Sequence, residues 1–382
     1  MQSRKPRRRR GRVAAAAALA AAGAVTLAFA KSTDWFRAFG ARSEGNRLAR
    51  LRASPQWRDG RFQNTIPTIT VAPSRILETL RLQLAAADTR YPSRPIPVVR
   101  SSAAELASPP ASGLRITWLG HATALVEIDG VRVLTDPVWS QRVSPSRWIG
   151  PRRFFAPPVA LSDLPELDAV VVSHDHYDHL DMAAVVELAA RGARFFVPLG
   201  VGAHLERWGV PASRIEELDW QESRSAGPLT LTLTPARHFS GRGLADRDET
   251  LWGSWVLAGP THRVYYSGDS GYFDGFRQIG KTHGPFDATL MSLASYGPTW
   301  PDVHMTPEEL VLAHVELRGG TLVPVHWATF NLAFHDWNEP AARAATAARE
   351  RGVRLRIPRP GEMLEPAAVD RDSGLEEWWR EP

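Results

Sequence analysis

The 382-residue sequence contains no cysteine. That excludes disulfides, thiolate ligands for a metal and a lipidated cysteine behind an export leader. No acidic residue stands in residues 1–12, which hold Arg4, Lys5, Arg7, Arg8, Arg9, Arg10 and Arg12. Subtracting those seven cations from the formal net charge of +5 leaves roughly −2 for the remainder (5 − 7). The pI near 9.8 therefore belongs to the leader. A body with no positive excess is a poor polyanion binder, so nucleic acid is not expected as a partner. No charge interrupts Val13 to Ala30, and no short internal repeat is visible.

A basic cluster followed by an apolar, Ala-rich segment has the pattern of an export signal or a signal anchor. Ala28-Phe29-Ala30 before Lys31 fits small-x-small cleavage. Eighteen Ala-rich residues are also at the short edge of a spanning helix. Arginines on the cytoplasmic side put the body outside the cytoplasm, exported or anchored at the inner membrane and so periplasmic. The expected organisation is a signal peptide or membrane anchor over 1–30, an N-terminal extension wrapping the core over 31–112, a main domain over 113–365 and a C-terminal tail over 366–382. The extension is Pro-rich, as in Tyr91-Pro92-Ser93-Arg94-Pro95-Ile96-Pro97, with helical pieces such as 75–87.

Strands are predicted at 115–119, 124–128, 131–134, 169–173, 194–198, 229–235, 254–258, 263–267, 288–293 and 321–325. Asp129-Gly130 between two apolar runs is a two-residue hairpin signal. Helices are predicted at 180–191, 200–208, 306–318 and 339–351. The third begins on Thr306-Pro307-Glu308-Glu309, which supplies an N-cap, a first-turn proline and a capping-box glutamate. Hairpin-rich strands interleaved with helices point to an α/β fold of two packed sheets with helices outside, an αββα sandwich.

The densest chemistry lies directly behind Ala169-Val170-Val171-Val172, which has the composition of a buried strand. There the chain places His174, His176, Asp178 and His179 in the order His-x-His-x-Asp-His. Imidazole and carboxylate together suit a divalent cation such as zinc. These ligands cannot easily converge on one point, so two adjacent metals are the simpler reading. His238, Asp269 and His326 each follow a predicted strand, and Gly268 beside Asp269 permits close backbone approach.

The series His-x-His-x-Asp-His, lone His, Gly-Asp and final His resembles the metallo-β-lactamase superfamily. Further blocks narrow it: Thr117-Trp118-Leu119-Gly120-His121-Ala122-Thr123, Leu134-Thr135-Asp136-Pro137, Ser144-Pro145-Ser146-Arg147-Trp148-Ile149-Gly150-Pro151, Leu251-Trp252-Gly253-Ser254-Trp255 and Pro324-Val325-His326-Trp327. Together they resemble the N-acylphosphatidylethanolamine-hydrolysing phospholipase D family over about residues 60–355. The resemblance implies a metallo-β-lactamase-fold hydrolase with two Zn2+ ions. It assigns His174, His176 and His238 to one metal, Asp178, His179 and His326 to the other, and Asp269 to the bridge between them. The implied reaction is hydrolysis of a phospholipid phosphodiester by a hydroxide held between the metals, at a membrane surface. Asp178, Asp269 and His304 are then the catalytic residues, with His304 contacting the phosphate or protonating the leaving alkoxide, or else serving as a structural loop residue.

The same resemblance gives Asp136 an orienting role toward a ligand histidine, against a simple turn role before Pro137. Asp175 and Asp181 flank the cluster, and Asp181 can start the next helix. His121 either lines the cavity floor or satisfies backbone groups. His204, His262, His283, His314 and His335 have no supporting pattern. Trp148 to Phe155 mixes aromatics with arginines and suits either a lipid headgroup surface or a packed loop. Alternative activities on the same residues are lactone or ester hydrolysis and an iron-dependent dioxygenase.

Overall fold

Period-two alternation sorts the side chains of each strand between two cores. In the computed structural model, which describes residues 35–84, 88–367 and 375–380, sixteen strands are described. The leader lies outside those residues, as do 85–87 at the end of the helix predicted at 75–87, which runs Ile76–Leu84. Strands β1 (Trp57–Arg58) and β2 (Arg61–Phe62) form a small hairpin. The first large sheet is built from β3 (Leu114–Gly120), β4 (Thr123–Ile128), β5 (Val131–Thr135), β6 (Ala169–Val171), β7 (Phe195–Pro198) and β8 (Ile215–Leu218). The second takes β9 (Ser223–Ala226), β10 (Leu229–Thr234), β11 (Ser254–Ala258), β12 (Arg263–Tyr266), β13 (Phe286–Ser292), β14 (Gly319–Val325) and β15 (Arg354–Leu355). Strand β16 (Met363–Leu364) returns to pair with β3, giving the order β16-β3-β4-β5-β6-β7-β8.

Both sheets start antiparallel and finish parallel, with β5, β6, β7 and β8 parallel in one and β12, β13, β14 and β15 parallel in the other. Ala169 and Val171 of β6 enter the core between the sheets, where they share a cluster with Leu231, Leu233, Trp255 and Leu257. Val170 and Val172 face outward onto Val185 and Leu188 of helix Met182–Ala190. Burial on both faces accounts for the unbroken apolar run. Helices Pro307–Glu316 and Glu339–Glu350 cover the second sheet, so the layers are α/β/β/α as expected.

Local signals behave as their chemistry requires. Asp129 and Gly130 both take positive φ (49° and 83°) between paired Ile128 and Val131, the geometry of a type I′ turn. Thr306 and Glu309 complete the reciprocal capping box, with Pro307 in the first turn. The hairpin around Asp59-Gly60 carries the same signal (φ 53° and 79°) inside the segment expected to be irregular. Helix Gly275–His283 and strands β8 and β9 were not predicted; Ile215–Leu218 and Ser223–Ala226 are short and partly polar.

The extension and the end of the chain join the main core through Leu51, Phe62, Ile96 and Trp379, while Leu106 joins the outer cluster. One tie is ionic. Arg115 and Glu127 stand opposite each other on β3 and β4, with Nε 2.5 Å from Oε2 and both side chains buried. Arg115 Nη2 also donates to the carbonyls of Leu106 and Ser108, anchoring helix Ala103–Ala107. Removing one member strands the other charge, and Arg132 reaches the second Glu127 oxygen only at 3.4 Å. Arg115→Met should therefore cost about 3–5 kcal/mol in denaturant unfolding, and Arg115→Met/Glu127→Leu should recover much of it.

Candidate metal centre

Every donor expected from the sequence leaves the same edge of the sandwich. The 173–179 loop follows β6, His238 follows β10, Asp269 follows β12 and His326 directly follows β14. Gly268 takes φ 53°, and a Cβ there would collide with Ser173, so the close approach is real. His174, His179, His238, Asp269 and His326 are buried, with His176 and Asp178 half-buried.

Two groups emerge. His174 Nε2 lies 2.8 Å from His176 Nδ1, which lies 3.4 Å from His238 Nε2. His326 Nε2 sits 3.2 Å from Asp178 Oδ2, and His179 Nε2 sits 3.5 Å from the same oxygen. Asp269 Oδ2 stands between them, 3.1 Å from His179 Nε2, 3.2 Å from His326 Nε2 and 3.8 Å from His238 Nε2. All seven expected residues meet in one cluster.

Whether a cation fits is decided by the far side of each ring. His179 Nδ1 is held by Asp136 Oδ2 at 2.6 Å, and His238 Nδ1 by the Val303 carbonyl at 3.0 Å. Those bonds hold a proton on each outward Nδ1 and turn Nε2 inward. His174, His176 and His238 each bring a ring nitrogen within 4.8 Å of the others, close enough for one cation to be shared among them. The donor set is therefore that of a nitrogen- and oxygen-ligated divalent ion.

The electrostatics sort the donors into two sets. Burial and the neighbouring imidazoles hold His174 well below the ordinary imidazole range, and burial holds His238 there too, Asp269 opposing. Burial lowers His176 as well. Burial also opposes charge on His179, but Asp269, Asp178 and Asp136 outweigh it and hold its pKa well above normal. His326 is raised in the same way, with burial outweighed by Asp269 and Asp178. Asp178 and Asp269 stay ionised because adjacent imidazoles overcome the cost of burial.

The supporting residues divide cleanly. Asp136 accepts from Ser173 N (2.7 Å), Ser173 Oγ, Tyr266 OH and His179 Nδ1, which is an orienting position and more than a turn. Asp181 caps helix Met182–Ala190 and also accepts from Trp139 N and Ser140 N. Asp175 points away from the cluster to His204 (3.2 Å), Thr250 (2.9 Å) and Gly241 N (2.7 Å). His121 Nε2 is 2.9 Å from Asp178 Oδ2, so it faces the site. His304 Nδ1 is 3.9 Å from Asp269 Oδ2, buried and without a hydrogen-bond partner among the described residues. In the aromatic loop, Trp148 and Ile149 are exposed while Arg153 and Phe155 are buried. His262, His283, His314 and His335 do not join the cluster.

Residues 131–327 match the profile of the β-lactamase superfamily domain. The chain belongs to that superfamily. A protein of Mycobacterium tuberculosis with no assigned function is 51% identical over 340 residues, 86% of this chain and 88% of its own length. N-acyl-phosphatidylethanolamine-hydrolyzing phospholipase D 1 of Caenorhabditis elegans is 41% identical over 231 residues, 57% of this chain and 65% of its own length. Igni18, a solved metallo hydrolase from Ignicoccus hospitalis, aligns with a TM-score of 0.51 at 24% identity, over 66% of this chain and 97% of its own. That likeness speaks for the fold. This superfamily member is a metal-dependent hydrolase with candidate His/Asp metal clusters.

Sequence reasoning missed Tyr266 and Asn64, which contact Asp136 and His238 respectively. Tyr266 carried a weak signal, a phenol at a strand end beside Ser267-Gly268-Asp269. Asn64 carried none. If Asp136 orients His179, Asp136→Asn should weaken divalent-metal binding by about 10–100-fold in chelator competition, with circular dichroism unchanged. Wild-type affinity would remove the orienting role.

Proposed function

We propose that this hydrolase is a zinc-dependent phosphodiesterase of phospholipase D type, acting on N-acylphosphatidylethanolamine-like phospholipids. One observation carries the reading: Asp269 stands within 4 Å of histidines from both donor groups. Identity to the C. elegans enzyme supports the substrate class. His174, His176 and His238 would hold one ion, Asp178, His179 and His326 the second, with Asp269 shared. Bound there, such cations supply Lewis acidity to a phosphoryl oxygen and a lowered pKa for attacking water.

The chain's own residues do the rest. Asp136 and the Val303 carbonyl fix the tautomers of His179 and His238. Asp178, held by His121, presents its carboxylate in a fixed direction. Burial holds His304 at about 4 despite Asp269, so it is neutral at pH 7. A neutral imidazole with a free N–H is suited to donating to a phosphoryl oxygen, more than to protonating a leaving alkoxide.

Trp148 and Ile149 are exposed, and Arg147 lies 5.0 Å from the Trp148 ring, a combination suited to a phospholipid surface. The basic and apolar leader supports action outside the cytoplasm, where export or anchoring would leave the domain beside lipid. Among the described residues no helix is long and apolar enough to cross a membrane.

Purified protein with zinc should convert N-acylphosphatidylethanolamine in micelles to N-acylethanolamine and phosphatidic acid. Chelation should abolish that turnover. Zinc-loaded protein that cleaves no phosphodiester would end this reading. His304→Ala should lower kcat by about 100-fold with zinc content unchanged, and His304→Gln should recover part of it. An obligatory proton donor would show no recovery with glutamine.

A further inference from the structure

The N-terminal extension does more than cover the sandwich. Asn64 grips the backbone of His238 from both sides: its Nδ2 donates to the His238 carbonyl at 2.7 Å, and its Oδ1 accepts from the His238 N–H at 3.1 Å. The same Oδ1 accepts from Trp252 Nε1 at 3.2 Å, which fixes the amide orientation. His238 follows β10 by four residues and has no ladder to hold its backbone. A side-chain amide supplies the missing pair of bonds, as a neighbouring strand would.

The strap continues past Asn64 onto the loop that carries His304. Ile69 N donates to Asp302 Oδ2 at 2.7 Å, and Ala72 N donates to the Thr299 carbonyl at 2.8 Å. Arg237 ties the two loops from below, reaching Asp302 Oδ2 at 2.8 Å and the Pro67 carbonyl at 2.9 Å. The Val303 carbonyl receives the outward proton of His238. Residues 64–72 thus span both loops that set the position and the tautomer of His238.

We infer that Asn64 is a positioning residue for the metal-binding imidazole of His238, and that the 64–72 strap completes the donor set formed by His174, His176 and His238. This rests on the proposed ligand role of His238. Imidazole lone pairs must converge within a few tenths of an ångström to hold a divalent ion. A loop histidine freed to rock loses that convergence without unfolding the domain.

The test is zinc affinity by chelator competition on the full chain, with cobalt(II) absorption as a second readout of ligand geometry. Asn64→Ala should release one equivalent of zinc about 10-fold or more readily and change the cobalt spectrum. Ser102→Ala, which removes a helix cap elsewhere in the extension, should lower stability and leave both readouts unchanged. Wild-type zinc affinity and spectrum in folded Asn64→Ala would overturn the inference. If Asn64→Ala does not fold, Asn64→Gln, whose amide is displaced by one methylene, is judged by the same criterion. Failure of wild-type protein to bind zinc would instead overturn the ligand assignment beneath it.

Discussion

Inward-facing imidazole nitrogens held apart from water are the constraint on which the rest of the structure depends. His174 and His176 present ring nitrogens 2.8 Å apart, and Asp178 and Asp269 remain ionised in their midst. Such an arrangement is unfavourable as a bare core, because desolvation penalises the charges and the lone pairs oppose one another. It persists because strand ends fix each donor, and because the outward nitrogens of His174, His179 and His238 are bonded to Ser173, Asp136 and the Val303 carbonyl. The sandwich is the means by which four distant segments are held to that tolerance.

Two further segments are held under visible constraint. His121, His326 and Ala328 all take positive φ (50°, 64° and 50°), where side chains with a Cβ are disfavoured by about 1–3 kcal/mol each. The two stretches clasp each other: His326 N donates to the His121 carbonyl at 2.7 Å, and His121 N donates to Thr329 Oγ1 at 2.6 Å. Behind them Trp118 stacks on Trp327 with planes 2° apart, and Trp378 and Trp379 close over Trp327. The end of the described chain therefore packs against the residue that follows His326. On the other side, buried Arg242 bonds the carbonyls of Asp175, Leu180 and Ala38, clamping the 173–179 loop to the start of the described chain.

The site was legible because its donors are rare residue types at the exits of apolar strands. His174 to His179, His238, Asp269 and His326 each broke a pattern that burial would otherwise forbid. Asp129-Gly130 and the Thr306 box were legible for a related reason, since a few residues determine their geometry. Asn64 was not, because its partner lies 174 positions away and an asparagine in a loop has many ordinary explanations. Asp175 was ambiguous in sequence beside three ligands, and its direction toward His204 follows only from the three-dimensional path of the loop. Strands β8 and β9 escaped because Ile215–Leu218 and Ser223–Ala226 carry glutamates, serines and an arginine, and lie at the edge of each sheet where one side needs no burial.

Charge balance bears on which bond such a site would favour. With two dications, two ionised carboxylates and neutral imidazoles, the proposed occupancy would leave roughly +2 at the floor of the site before the attacking water loses its proton (4 − 2), and about +1 after. Asp136, one layer back, offsets part of that through His179. A phosphodiester carries one negative charge in the ground state and concentrates more on its equatorial oxygens during displacement, so it is attracted and then stabilised further. A lactone enters neutral and gains charge only at one oxygen. Between the two, the residual positive field of the proposed occupancy would favour the phosphodiester both in binding and in the transition state.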